Sequence, residues 1–153
     1  VSNLCIATPD TGGTKRANSY AKRLGVDMAI CYKQRKVANE VAEMTVIGDV
    51  KGKDVIIVDD MCDTAGTLTK AAGLMIEHGA LSVRAICTHA VLSGPAYERI
   101  QDSVLSEVIV TDTIPLKEGV QKEKIKVLPV HDLFAQVLKC LISNESISSH
   151  III

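Results

Sequence analysis

The sequence has very few aromatic residues. Its 153 residues include no Trp, one Phe and three Tyr, so aliphatic side chains have to fill any core. The hydrophobic fraction of 47% is nevertheless enough for a core of good size. β-branched residues favour strands, and runs of Val and Ile suit strands that are buried on both faces. The composition therefore favours one domain of ordinary size, built on a parallel sheet that helices cover.

Other absences limit the possible functions. With 17 basic and 18 acidic residues, the chain has no basic excess of the kind that nucleic-acid and membrane surfaces show. It has no recognisable signal peptide and no apolar run long enough to span a bilayer. The five cysteines form no Cys-x-x-Cys pair, so we interpret them as small buried apolar groups rather than as metal ligands or disulfide partners. These features predict a cytoplasmic protein that binds neither nucleic acid nor membranes.

Strand-like and helical segments alternate along the whole chain. The spacing of apolar residues predicts helices over residues 14–24, 67–78, 95–101 and 133–142. Predicted strands cover residues 4–8, 26–32, 44–50, 55–58, 82–92, 107–111 and 125–130, and the polar segment 33–43 is predicted to be a loop. This alternation predicts an α/β fold with a mostly parallel sheet flanked by helices. We expect one domain over residues 1–143, followed by a tail over residues 144–153.

The most informative segment is Val-Ile-Ile-Val-Asp-Asp-Met-Cys-Asp-Thr-Ala-Gly-Thr, residues 55–67. Its apolar strand ends in two acids, Asp59 and Asp60, and small polar residues then lead into a helix. Ligands of α/β folds lie beyond the carboxyl ends of strands, and a helix N-terminus attracts anions. Because neighbours on a strand point to opposite sides, one carboxylate can face a sugar diol while the other meets a cation. The pattern predicts a site for a phosphorylated ribose. The alternative is that Asp63 or Thr64 caps the helix and the two acids face water.

Residues 58–67 resemble the phosphoribosyl-binding loop of type I phosphoribosyltransferases. The chain as a whole resembles the C-terminal half of ribose-phosphate diphosphokinases, which are also called phosphoribosyl pyrophosphate synthetases. Further motifs support this resemblance in the same order along the chain: Thr8-Pro-Asp-x-Gly-Gly13, Lys33-x-Arg35, Ile47-Gly-Asp-Val50, Thr88-His89, Leu92-Ser-Gly-Pro-Ala96 and Thr111-Asp-Thr-Ile-Pro115. The resemblance implies a type I phosphoribosyltransferase-like fold.

The resemblance also implies an activity. Enzymes of this family transfer the diphosphoryl group of ATP to C1 of ribose 5-phosphate, giving phosphoribosyl pyrophosphate and AMP for nucleotide biosynthesis. By this resemblance Asp59 binds the ribose hydroxyls, and Asp60 supports the ribose or its metal. The 5-phosphate is held by the loop residues Asp63, Thr64, Ala65, Gly66 and Thr67.

Two further parts of the site follow from the same resemblance. Asp10 matches an aspartate that binds Mg²⁺, the expected cofactor. Lys33 and Arg35 match residues of a loop that closes over the reacting phosphates, where cations stabilise the developing charge; Arg35 is also expected to contact ribose 5-phosphate. Lys15 and Arg16 either face phosphate or form a solvated helical turn. His89 is interpreted as a hydrogen-bonded histidine beside the site.

Members of this family are about twice as long as this chain, and they assemble as hexamers. We therefore expect a C-terminal domain cut from a longer homo-oligomeric enzyme, and we expect it to be nearly inactive alone. One alternative is a phosphoribosyltransferase, which needs a nucleobase-binding hood for which no segment is spare. The other is a non-catalytic regulatory subunit, in which interrupted loops or lost acids are usual, whereas the acids and loop are intact here.

Overall fold

The computed structural model describes residues 3–34 and 43–148. The strands of this part are β1 Leu4–Thr8, β2 Asp27–Gln34, β3 Glu43–Ile47, β4 Asp54–Cys62, β5 Ser82–Ala90, β6 Glu107–Thr111 and β7 Ile125–Leu128. Its helices are α1 Thr14–Leu24, α2 Gly66–Glu77, α3 Ala96–Asp102 and α4 His131–Ile142. In this part of the chain no helix is long and apolar enough to cross a membrane.

The strands form one sheet in the order β3-β2-β1-β4-β5-β6-β7. The β2–β3 pair is antiparallel, and the other five pairs are parallel. The predicted α/β fold with a mostly parallel sheet is therefore confirmed. The order reverses at β1 and β4, where the chain first adds strands on one side and then on the other. A crevice at the carboxyl ends of the strands is expected at such a switch point.

The sheet buries both of its faces with small aliphatic side chains. On one face, strand residues such as Ile57 and Val110 pack with Ala71 and Met75 of α2 in the larger core cluster. On the other face, Ile6 and Val58 pack with Ala17 and Ala21 of α1. Because alanines form much of the helix surfaces that meet the sheet, the helices approach it closely without aromatic side chains.

Two strands are longer than their apolar runs predict. β4 continues through Asp59 and Asp60 to Cys62, because its pairing with β5 extends to Cys62 opposite Ala90. β2 runs to Gln34, since the backbone of Lys33 pairs with Met44 of β3. The prediction of a loop over residues 33–43 is therefore wrong at Lys33 and Gln34, and also at Glu43, with which β3 begins. Residues 35–42 of that predicted loop lie outside the described part of the chain.

The last helix, α4, is more exposed than its apolar sequence predicts. Cys140 is its buried residue, whereas large apolar side chains remain exposed: Leu133, Phe134, Leu138, Leu141 and Ile142. Similarly, Tyr20 and Leu24 of the predicted α1 stripe are exposed, and its alanines supply the buried contacts. Helical spacing thus located these helices correctly but did not determine how much of each apolar face is buried.

Candidate functional site

The parallel pairing of β1 and β4 brings two separate acids to one edge of the sheet. Asp10 follows β1 directly, and Asp59 lies near the end of β4. Both line a cavity of about 190 Å³. The rest of the lining comes from the end of β4, the loop after it, the start of α2 and two residues of β5: Met61, Cys62, Asp63, Thr64, Ala65, Gly66, Thr67, Leu68, Ile86 and Cys87. The structure therefore assembles Asp10, Asp59 and the whole predicted phosphate loop around one cavity.

The N-terminus of α2 opens into this cavity without a side-chain cap. The N-cap residue is Ala65, which has the left-handed φ of 58° and makes no side-chain cap hydrogen bond. The alternative that Asp63 or Thr64 caps this helix is therefore wrong. The first amides of a helix have no partner within it, and their positive end attracts anions. The loop thus provides a place where an anion can accept hydrogen bonds from backbone N–H groups.

The two acids of β4 share one arginine. Arg16 of α1 contacts Asp59 Oδ1 through Nη1 at 3.3 Å and Asp60 Oδ2 through Nη2 at 2.9 Å. The sequence left open whether Arg16 faces phosphate or solvent, and this pairing is a third arrangement. The two nitrogens of the guanidinium fork thus each contact one of the two neighbouring carboxylates. Asp60 is exposed, and it is not part of the cavity lining.

Asp59 is the more buried acid of the pair, with its side chain 26% exposed. Burial raises the pKa of its carboxyl to about 6, and the nearby carboxylates of Asp60 and Asp10 add to the rise. Asp60 behaves in the opposite way, because its hydrogen bond with Asp59 and the charge of Arg16 lower its pKa. Arg16 and the Asp60 backbone N–H both donate hydrogen bonds to Asp59 Oδ1. The Asp59 carboxyl also lines the cavity, where a ligand hydroxyl can reach it.

The turn after β1 fixes Asp10. Its Oδ1 accepts hydrogen bonds from the backbone N–H of Gly12 at 2.8 Å and of Gly13 at 3.3 Å. Below the turn, the buried Thr8 hydroxyl donates to the Asp10 carbonyl at 2.8 Å. A Cβ on Gly13 would lie 2.3 Å from Thr8 Oγ1, so glycine is needed for this close approach.

The donor set is compatible with Mg²⁺. Across residues 3–34 and 43–148 no group of three or more His, Cys, Asp or Glu side chains could hold a metal. Mg²⁺, however, is commonly held by one or two carboxylates while substrate phosphates and water complete its coordination. Asp10 and Asp59 line the same cavity as the anion-binding loop, and the raised pKa of Asp59 means that a cation there would be favourable. The residues present therefore fit a metal that arrives with a phosphorylated substrate.

The two predicted catalytic cations cannot be compared with the site. The backbone of Lys33 lies in β2, but its side chain and all of Arg35 are outside the described part of the structure. Their catalytic role stays a prediction. His89 accords with its interpretation, since its ring Nδ1 is 3.0 Å from Thr113 Oγ1.

The cysteines have the role that their spacing predicts. All five are free and buried. Burial raises the pKa of Cys62 to about 11 and that of Cys87 to about 12. Both thiols at the cavity wall are therefore protonated at neutral pH, which makes them apolar lining rather than nucleophiles.

Comparison with known proteins first defines the class of fold. The adenine phosphoribosyltransferase from Thermoanaerobacter pseudethanolicus superimposes with a TM-score of 0.55 at 24% identity, over 71% of this chain and 68% of that one. The structure thus has the phosphoribosyltransferase type of α/β fold, which the sequence predicted. At this identity the likeness shows the fold alone.

The family follows from closer matches. The family model described as phosphoribosyl synthetase-associated domain matches residues 33–151, so the chain belongs to this family. A ribose-phosphate pyrophosphokinase from Porphyromonas gingivalis is 59% identical over 97% of this chain and 47% of its own length. The phosphoribosylpyrophosphate synthetase structure from Mycobacterium smegmatis matches with a TM-score of 0.85 and 37% identity, over 93% of this chain and 46% of that one. The chain spans about half the length of these relatives.

Proposed function

We propose that this chain is the part of a ribose-phosphate pyrophosphokinase that binds ribose 5-phosphate. The whole enzyme would transfer the diphosphoryl group of ATP to the C1 hydroxyl of ribose 5-phosphate, releasing AMP. The observation that carries the proposal is the uncapped N-terminus of α2, which opens into the cavity that Asp10 and Asp59 also line. The loop would bind the 5-phosphate, and the neighbouring Asp59 carboxylate would bind the hydroxyls at the other end of ribose 5-phosphate.

The proposed roles follow the chemistry of each group. Backbone N–H groups and hydroxyls of residues 63–67 hold the 5-phosphate, because they offer hydrogen-bond donors at a positive helix end. Asp59 accepts hydrogen bonds from the ribose hydroxyls. Asp60 acts indirectly, since it shares Arg16 with Asp59. Asp10 holds Mg²⁺, which neutralises charge on the transferring phosphates when it is bound.

Lys33 and Arg35 complete the proposal for the intact enzyme. Diphosphoryl transfer spreads negative charge over phosphate oxygens, so a cation near the end of β2 and another just after it in the sequence would stabilise the transition state. By the motif resemblance we place this chain in the C-terminal half of the enzyme, with a domain over residues 1–143 and a tail over residues 144–153. The intact enzyme is expected to be a cytoplasmic homo-oligomer. Its substrates support a role in nucleotide biosynthesis.

The comparisons favour this function over its two alternatives. The identity to a ribose-phosphate pyrophosphokinase is 59%, whereas the likeness to a phosphoribosyltransferase is 24% and concerns the fold alone. A non-catalytic regulatory subunit would have no need to retain Asp10, Asp59 and an open phosphate loop together. Their assembly around one cavity supports a chain that binds substrate.

A calorimetric titration of ribose 5-phosphate in the presence of Mg²⁺ tests the proposal. Thr67→Val removes a cavity-lining hydroxyl while it preserves the side-chain shape. We expect it to weaken binding by about 1.5–3 kcal/mol, as for a hydrogen bond to a charged group. Thr45→Val makes the same change at an exposed position of β3 and should leave affinity unaltered. Equal affinity of Thr67→Val and the parent chain, or no saturable binding by the parent, would refute the assignment.

A further inference from the structure

The segment that follows β5 holds the phosphate loop from outside the cavity. Three consecutive loop residues, Cys62, Asp63 and Thr64, each accept hydrogen bonds from it. These bonds are Leu92 N–H to the Cys62 carbonyl at 3.0 Å, Ser93 N–H to the Asp63 carbonyl at 3.1 Å, and Arg99 Nη1 to the Thr64 carbonyl at 3.0 Å. A fourth bond joins the Ser93 hydroxyl to the Asp63 carboxylate. We refer to Leu92, Ser93 and Arg99 as the brace.

The bonded segments are strained, so their shape has to be held by their surroundings. Ala65 has φ of 58° and Leu92 has φ of 44°, a region that non-glycine residues rarely adopt. Such a conformation is unfavourable for a residue with a side chain and persists only where the surrounding structure holds it. Leu92 is almost completely buried in the larger core cluster, which anchors the brace to the body of the protein. The loop, by contrast, ends at a helix without a side-chain cap. The hydrogen bonds of the brace therefore help to keep the loop in this conformation.

Arg99 and Ser93 act on the loop without lining the cavity. Neither is among the residues around the cavity that holds Asp10 and Asp59. Arg99 lies behind the loop in α3, where its Nη1 would be 3.3 Å from a Cβ on Gly66. Glycine at this position thus leaves room for the guanidinium as well as for a ligand. Arg99 also lines a second cavity, together with Thr64, Gly66 and Thr67 of the loop, so the test has to separate positioning of the loop from direct contact with a phosphate.

From this geometry we propose that Ser93 and Arg99 are positioning residues that keep the phosphate loop in its ligand-ready shape. The inference rests on the proposed function, because it assumes that the loop binds phosphate. A loop that is already ordered does not spend binding energy on ordering itself. Loss of either side chain should therefore weaken the binding of ribose 5-phosphate and loosen the loop amides, although neither residue lines the cavity of Asp10 and Asp59.

Two measurements on the same variants test this role. Arg99→Met and Ser93→Ala each remove one side-chain hydrogen bond of the brace, and Lys70→Met is the matched control. Lys70 is an exposed cation that lines the second cavity together with Arg99 and the loop residues Thr64, Gly66 and Thr67, and its side chain makes no hydrogen bond with the described residues. We expect Arg99→Met and Ser93→Ala to lower affinity for ribose 5-phosphate about 5- to 10-fold, the worth of about one hydrogen bond. Lys70→Met should stay within about twofold of the parent, since it loses charge alone.

Hydrogen exchange separates positioning from simple charge attraction. The amides of residues 62–67 should exchange faster in Arg99→Met and Ser93→Ala, and at the parent rate in Lys70→Met. Arg99→Lys should recover part of the affinity and protection, because an ammonium can still donate to the Thr64 carbonyl. Weaker binding without faster exchange, or equal results for Arg99→Met and Lys70→Met, would overturn the proposal. If the parent bound no ribose 5-phosphate, the proposed function would fail, yet the exchange rates would still decide whether the brace orders the loop.

Discussion

A methyl group added at Gly13 probes the turn that presents Asp10 to the cavity. The Cβ of an alanine there would lie 2.3 Å from Thr8 Oγ1 and 3.3 Å from Thr8 Cβ. Thr8 cannot easily move away, because it is fully buried and its hydroxyl donates to the Asp10 carbonyl at 2.8 Å. Backbone strain plays no part, since Gly13 has φ of −81°, which alanine adopts freely. The change is thus a purely steric test of the packing below the turn.

The magnitude follows from the size of this overlap. Ordinary contacts begin at 3.4 Å, so Thr8 or the turn would have to move by about 1 Å. Overpacking of this kind costs about 1–3 kcal/mol. Rotation of Thr8 away from the methyl would break a buried hydrogen bond and add roughly 1–3 kcal/mol. Movement of the turn and rotation of Thr8 each relieve part of the same clash, so their costs do not add in full. We expect Gly13→Ala to lower the free energy of unfolding by about 2–4 kcal/mol.

A double-mutant cycle measured by urea unfolding identifies the cause. If the clash with Thr8 is responsible, Thr8→Ala makes room for the methyl, and the double variant should lose at least about 1 kcal/mol less than the sum of the single variants. Gly73→Ala is the control, because a Cβ there meets nothing within 4 Å in the middle of α2; it should stabilise by roughly 0.5–1 kcal/mol. A cost of Gly13→Ala below about 0.5 kcal/mol, or additive single effects, would refute the reasoning.

Two further predictions concern Asp59 and Gly48. Burial raises the pKa of Asp59 to about 6, above its value of about 3.9 in the unfolded chain, so the folded state binds an extra proton between these values. The stability that this proton contributes to the folded state is therefore lost as pH rises from about 4 to 6. In urea titrations, the unfolding free energy of Asp59→Asn minus that of the parent should increase over this range. A difference that stays constant with pH would contradict the raised pKa. Gly48 has φ of 108°, and a Cβ added there would lie 2.7 Å from the Met28 carbonyl oxygen. Gly48→Ala should therefore lower the free energy of unfolding by more than about 2 kcal/mol and Tm by at least about 4 °C. A decrease in Tm of less than about 2 °C would show that the turn after β3 adapts to a side chain.

The phosphate loop could be predicted from sequence because its signals are local. An apolar strand, two acids, a small-residue segment and a helical repeat follow one another within residues 55–78, and each depends on near neighbours in the chain. The position of Asp10 beside this loop was predicted only through the motif resemblance. In the structure it results from parallel pairing of β1 with β4, strands that are separated by about fifty residues of sequence.

Residues that act from other elements were missed or misjudged. Arg16 reaches Asp59 across 43 positions of sequence, and Arg99 reaches Thr64 across 35. Nothing in the spacing around either arginine distinguishes it from a solvated helix charge. The Leu-Ser-Gly-Pro-Ala motif was recognised as part of the resemblance, but its hydrogen bonds to the loop became visible only in three dimensions.

The sequence by itself therefore determined the type and order of the elements and the segment that lines the cavity at the start of α2. Apolar periodicity and turn chemistry act over a few residues, so they can be recognised without knowing the fold. Tertiary structure alone decided how far β4 extends, which acid is buried, where Arg16 pairs and what holds the strained loop. Each of these depends on strand register and burial, which arise when distant segments pack together and exclude water. The raised pKa of Asp59 shows this directly, since its carboxyl is ordinary in sequence and unusual only in its place in the sheet.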